Sequence, residues 1–293
     1  MDAAARLAAR VRGYRSRTLE ADGYRLHLLE ARGTGSGPPV MMLHGIGSTA
    51  ADYAVLAPGL RALGSRVRLP DFPGHGLTPP PLGGMVPTAL REMMLTLADQ
   101  LLDEPSVVIG NSLGGIAALE LAIARPDRVA ALVLVSPGGA PMDEAGLSQF
   151  VRSLHLDDDP AALAFIDRFL AARSPLAVGG PRWGLPARHL LAKGVKQRLT
   201  LPAVRSLLSA LTPDDLVRAE MMVSLTMPVM LYWGAEDRVF PPGALDFWCA
   251  SLPPHTHLYV PPDQGHAPFL DDPVEFTRAL AEFLEMRGGA PTG

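Results

Sequence analysis

Apolar residues fall along the chain in two alternating periods. Short, nearly unbroken runs at 40–43, 107–109 and 129–135 suit strands covered on both faces. Between them, residues 50–63 and 88–102 predict helices. In the second, Leu90, Met93, Met94, Leu97 and Leu101 recur close to every 3.6 residues. Another helix is expected over 116–122, and two further strands over 229–233 and 256–260. The segment 66–69 is a strand that ends at Asp71. Near the start, residues 17–21 and 24–31 flank Asp22-Gly23, a two-residue hairpin signal. Residues 33–37 form a Gly-rich loop, and 244–250 a short helix. A last helix spans about 273–286, with Asp272 as cap, Pro273 in the first turn and Glu275 placed for a capping box. A hairpin followed by alternating strands and helices predicts an α/β fold: a mostly parallel central sheet flanked by helices.

Residues 138–226 break the alternation. They contain helix-like pieces, with starts at Asp159-Pro160 and Thr212-Pro213, and are divided by Gly179-Gly180-Pro181. A connection of ~90 residues is too long for a simple loop. The expected division is therefore a core in two parts, 1–137 and 227–293, with an inserted helical lid over 138–226 at the C-terminal edge of the sheet.

Composition narrows the class. The chain has 293 residues, 48% hydrophobic and 19% charged, with net charge −4 and no long basic run, so nothing favours nucleic acid. No apolar run reaches the ~20 residues of a membrane span. The Arg-bearing start, residues 1–17, is expected as a surface helix or lead-in, and a cytoplasmic location follows as the default. The single Cys249 excludes an internal disulfide and is expected as a buried, inert thiol.

The strand at 107–109 runs into Gly110-Asn111-Ser112-Leu113-Gly114-Gly115 and then a helix. A serine at the apex of a sharp strand-to-helix turn, with small residues on either side, has the form of a nucleophile elbow. The helix N-terminus beside it favours developing negative charge. A serine hydroxyl needs a base, and the base an orienting acid. Behind an elbow of this type they follow on later loops in the order Ser, acid, His. The strand at 229–233 leads into Glu236-Asp237, and that at 256–260 into Gly265-His266. His266 is the candidate base and Asp237 the acid, with Glu236 and Asp263 as rivals for the acid. Oxyanion donors are expected from the backbone N–H groups of Leu113 and Ile46, the latter in the loop His44-Gly45-Ile46-Gly47. His44 is expected to hold that loop, and Asp71-Phe72-Pro73-Gly74-His75-Gly76 to form a tight turn. No motif surrounds His27, His155, His189, His255 or His257, and no metal or organic cofactor is implied.

As a set, residues 43–47, 71–76, 110–115, 233–237 and 265–268 resemble the α/β-hydrolase superfamily, in its lidded branch of esterases, lipase-like enzymes and carbon–carbon bond hydrolases. The likeness covers roughly residues 18–137 and 227–287 and implies the fold and a Ser112–His266–Asp237 triad. The elbow is similar to that of hydrolases acting on dienoic ketoacids, which usually carry Trp after the catalytic His. Here Ala267 stands there, nearer to esterase relatives, and Ser112 argues against dehalogenases, whose nucleophile is a carboxylate.

The expected function is therefore a serine hydrolase of a small-molecule apolar carboxylic ester. Phe150, Leu154, Phe165, Phe169, Trp183, Met221 and Met222 are candidates for the lid's share of an apolar pocket, or for packing between lid helices. The alternatives are a carbon–carbon hydrolase using a lid cation such as Arg188, a haloperoxidase-like or acyl-transfer enzyme, and a non-catalytic binding protein on the same fold.

Overall fold

A computed structural model describes residues 12–21, 24–178 and 184–288. Eight strands form one sheet: β1 Arg15–Ala21, β2 Tyr24–Arg32, β3 Val40–Leu43, β4 Arg66–Pro70, β5 Ser106–Asn111, β6 Val129–Val135, β7 Val229–Tyr232 and β8 His257–Tyr259, in the order β1-β2-β4-β3-β5-β6-β7-β8. Pairings β1/β2 and β2/β4 are antiparallel, and all others are parallel. The helices are α1 Ala57–Leu63, α2 Pro87–Leu101, α3 Leu113–Ala124, α4 Glu144–Ser153, α5 Asp159–Phe169, α6 Pro175–Val178, α7 Gly184–Leu199, α8 Pro202–Ala210, α9 Ala244–Ser251, α10 Pro268–Asp271 and α11 Pro273–Gly288. Helices α4 to α8 all lie between β6 and β7.

Each central strand divides its side chains between two cores, as the two-residue repeat of a strand requires. Met41, Leu43, Val108, Leu132, Leu134 and Leu231 join α2, α3 and α9 on one face, where Leu90, Met93, Met94 and Trp248 are buried. Val40, Met42, Val107, Ile109, Val133 and Tyr232 join α1 and α11 on the other, against Leu60, Phe276 and Phe283. The segment between β6 and β7 closes around its own cluster, including Leu154, Phe165, Ile166, Val195, Val204 and Leu208.

Several elements differ from the sequence pattern. Residues 50–63 form a 3₁₀ segment, Ala50–Leu56, before α1, because Pro58 cannot donate within a continuous helix. Thr212-Pro213 starts only a 3₁₀ turn, Pro213–Asp215. Asp272 caps α11 by accepting the N–H groups of Val274 and Glu275. The Asp272 N–H donates to the Pro268 carbonyl at 2.9 Å, so the Glu275 carboxylate does not receive it and pairs with Arg278 at 2.6 Å. Arg15 to Arg17 belong to β1 rather than to a leading helix. Cys249 lies on α9 as expected but is exposed, so it is not a core thiol. The expected turn Asp22-Gly23 and the divider Gly179-Gly180-Pro181 lie outside the described residues. Among the described residues no helix is long and apolar enough to cross a membrane.

Asp71, just past β4, ties three parts of the core. Its fully buried carboxylate accepts the N–H groups of Ala50 at 2.7 Å and Leu77 at 3.0 Å, and pairs with His27 Nδ1 at 2.6 Å. Burial alone would raise its pKa, but the His27 hydrogen bond, the nearby His44 and these amides hold it below the ordinary carboxylate range. Asp71→Ala strands these buried donors at about 1–3 kcal/mol each. Urea denaturation should therefore show a loss of at least about 3 kcal/mol. A carboxyl whose folded value is depressed stabilises above its unfolded value of about 3.9 and loses that contribution as pH falls through the folded value. The gap between wild type and variant should accordingly be full near neutrality and close in acid.

Candidate active site

Ser112 sits between β5 and α3 with φ 56° and ψ −117°, a conformation costly for a side-chain-bearing residue. The surrounding backbone holds it there. The Ser112 N–H donates to the Val135 carbonyl at 3.1 Å, and the Ser112 carbonyl accepts from Gly115 at 2.9 Å and Gly138 at 3.0 Å. The flanking glycines are required by close approach. A Cβ on Gly110 would lie 2.1 Å from the Gly114 carbonyl oxygen, and one on Gly114 2.2 Å from that of Leu43.

His266, buried after β8, pairs through Nδ1 with Asp237 Oδ2 at 2.8 Å. Asp237 is fixed by accepting the Val239 N–H at 2.8 Å and by its own N–H, which donates to Gly234 at 3.0 Å. The rival acids are occupied elsewhere: Glu236 accepts the Ala172 N–H, and Asp263 lines a separate surface hollow. Phe240 meets the His266 ring edge-on at 5.0 Å, and Phe169 packs against the same ring, tilted, at 5.4 Å.

Two further histidines hold the loop that carries Ile46. His44 Nδ1 donates to the Gly45 carbonyl at 2.8 Å and Nε2 accepts the Phe72 N–H at 2.9 Å. His75 Nδ1 donates to Pro73, and Nε2 accepts from Gly47 at 3.2 Å. Burial, with His75 nearby, pushes His44 down to about 3, and burial also lowers His75, so both rings stay neutral and keep these roles. Residues 71–76 are thus more than the tight turn expected of them: they staple the Ile46 loop.

Ser112 and His266 line one cavity of about 130 Å³ together with Ile46, Phe150, Leu154, Phe165 and Phe169. Leu113 begins α3 next to Ser112 and lines a second cavity of about 180 Å³ with Met221; Ile46 lines both cavities. Met222 lies apart from both, fully buried in the core packed on α3. Trp183 lies outside the described residues. Arg188 bonds to Asp167 at 3.1 Å instead of facing the first cavity.

The pattern of the sequence did not point to three contributors. Tyr53 accepts the Gly45 N–H at 3.2 Å and donates to Asn111 Oδ1 at 2.9 Å, while the Asn111 amide reaches the carbonyls of Val135 and His266. Arg198 on α7 donates to the Gly47 carbonyl at 2.6 Å and lies 3.3 Å from Asp52. Buried Asp271 accepts the N–H groups of Gly265 at 2.7 Å and Ala171 at about 3.3 Å, so the loop before His266 is tied to the end of α5. Asn111 was visible inside the elbow motif; Tyr53, Arg198 and Asp271 carry no local signal.

A parallel sheet with a strained serine at the end of β5, followed by an acid after β7 and a histidine after β8, defines an α/β-hydrolase architecture. The family model for the alpha/beta hydrolase fold matches residues 38–273, and the chain belongs to that family. Among curated relatives, the chain is 35% identical over 264 residues to a pimeloyl-[acyl-carrier protein] methyl ester esterase of Chromobacterium violaceum, spanning 86% of this chain and 96% of the relative. It is also 35% identical over 250 residues to the esterase of that name from Aromatoleum aromaticum, spanning 81% and 94%. A solved structure of a putative lipase from Acinetobacter baumannii superposes with a TM-score of 0.80 at 19% identity, over 98% and 96% of the two chains.

Gly114→Ala should destabilise the protein by at least about 1–3 kcal/mol, the usual cost of overpacking, because its Cβ meets backbone rather than a side chain that can turn away. A shift of the urea midpoint at unchanged slope would report it.

Proposed function

We propose that the protein hydrolyses an apolar carboxylic ester through Ser112, His266 and Asp237 with an acyl-enzyme intermediate. Hydrolysis of ester bonds agrees with the methyl ester esterases among its relatives. The observation that carries the mechanism is the 2.8 Å contact of His266 Nδ1 with Asp237, on a histidine that shares one apolar cavity with Ser112. With Nδ1–H donated to Asp237, His266 Nε2 is the lone-pair nitrogen able to take the Ser112 proton. The Ser112 oxygen attacks the ester carbonyl. The N–H groups of Leu113, first in α3, and Ile46 receive the oxyanion, and His266 returns the proton to the departing alcohol. Water then repeats the sequence on the acyl-serine and releases the acid.

Residues 138–226 serve as a lid on the core formed by residues 1–137 and 227–293. Phe150, Phe165 and Phe169 supply an apolar wall that suits the chain of an acyl ester, such as the methyl esters named for the relatives. Arg198 and Asp271 support this role by joining the lid to the loops that carry Ile46 and His266.

Ser112→Ala should lower p-nitrophenyl ester turnover by up to about 10⁶-fold while circular dichroism and the thermal midpoint stay close to wild type. Retention of most activity would refute the assignment. Asp237→Asn should cost about 10⁴-fold, because the amide cannot hold the same imidazole tautomer. A series of ester chain lengths measured on the native protein should show a preference that shifts to shorter chains when Val195, on the cavity wall, is enlarged to Phe.

A further inference from the structure

A second serine, histidine and aspartate lie in hydrogen-bonded series at the opposite end of the sheet. His27 Nδ1 is 2.6 Å from Asp71 Oδ2, and His27 Nε2 is 2.8 Å from Ser16 Oγ. Asp71 and His27 are buried, at 0% and 2% exposure, whereas Ser16 is exposed on the edge strand β1. The order of the protons follows from the partners. Asp71 already accepts the N–H groups of Ala50 and Leu77, so its carboxylate is an acceptor and a neutral His27 must donate through Nδ1. Nε2 is then the acceptor, and the Ser16 hydroxyl donates to it. The imidazole is held from its backbone too: the His27 N–H donates to Thr78 Oγ1 at 3.0 Å, and its carbonyl accepts the Asp71 N–H at 2.9 Å. This is the nucleophile, base and orienting-acid relationship of a catalytic triad, which is recognised by geometry rather than by position in the chain.

We propose that Ser16, His27 and Asp71 form a second proton relay, which makes Ser16 a nucleophile toward acyl esters that carry a good leaving group. In the reaction the Ser16 oxygen forms a bond to the acyl carbon as the bond to the leaving oxygen breaks. The hydroxyl proton passes to His27 Nε2 and from there to the departing oxyanion. The adduct is an O-acyl serine. Ser16 lies within a strand, in regular pairing opposite Leu29, and not at a helix N-terminus as Ser112 does. The N–H groups of a regular strand point alternately to its two sides and do not converge on one point as those of a helix N-terminus do, so acylation is stoichiometric and the ester persists. The relay is independent of the reaction proposed for Ser112.

The test uses the Ser112→Ala protein, in which the first site is silenced, and a fluorophosphonate as the electrophile. The Ser16 oxygen would form a bond to phosphorus as the P–F bond breaks, with the proton leaving through His27 and fluoride departing. Peptide mapping should locate the adduct on Ser16, at a rate at least about 100-fold above that of the exposed Ser224, the lower bound for a positioned general base. Adding Ser16→Ala should abolish the adduct, and adding His27→Gln should slow it by about the same 100-fold. Absence of a Ser16 adduct in folded Ser112→Ala protein, or a Ser16 rate no higher than that of Ser224, would overturn the proposal. An unchanged Ser16 rate in a folded His27→Gln protein would overturn it as well. If His27→Gln does not fold, the comparison of Ser16 with Ser224 decides alone.

Discussion

The site depends on one unfavourable backbone conformation and on what holds it. Ser112 at φ 56° is held because its N–H and carbonyl are bonded to Val135 of β6, Gly115 of α3 and Gly138 in the loop after β6. The elbow is therefore as rigid as the β5–β6 pairing beneath it. Residues at such sparsely populated angles cost of order 1–3 kcal/mol and persist where their surroundings over-determine them. The strain also does something specific: it lifts the hydroxyl out of the sheet and lets the backbone of α3 begin immediately beside it.

Around the elbow, positions are fixed by cross-ties rather than by long side-chain reach. Tyr53 and Asn111 join the Gly45 loop, the elbow and the carbonyl of His266 through one buried chain of hydrogen bonds. His44 and His75, kept neutral by burial, hold the Ile46 loop to the turn after β4, and Asp71 holds that turn to β2. Helices from the segment between β6 and β7 enter the same network, Arg198 at Gly47 and the end of α5 at Asp271 and His266. A change in that segment's position is thereby coupled to the loops that carry His266 and Ile46.

Much of this architecture was legible from local pattern. Apolar runs at 40–43, 107–109 and 129–135 marked strands because both sheet faces are covered, and Asp237 and His266 stood out because each follows a strand; the fold brings the two within 2.8 Å. The parts that escaped depend on contacts distant in sequence. Nothing near Tyr53 shows that it will meet Asn111, and nothing near His27 shows that Asp71 and Ser16 will converge on it. Met222 read as a pocket residue because apolarity alone does not distinguish a cavity wall from a core, and Cys249 read as buried because its helix turns only part of its surface inward. Glu275 satisfied a capping pattern, but the Asp272 N–H it would accept donates to Pro268.

The central claim is that Ser112, His266 and the amides of Leu113 and Ile46 act on one carbonyl. A crystal structure of the phosphonate adduct tests it most directly. The account predicts phosphorus bonded to Ser112 Oγ, the phosphoryl oxygen within hydrogen-bonding distance of both amides, and His266 Nε2 within hydrogen-bonding distance of Ser112 Oγ. An adduct on Ser112 whose phosphoryl oxygen points away from Leu113 and Ile46, or a folded protein in which Ser112 carries no adduct, would contradict it.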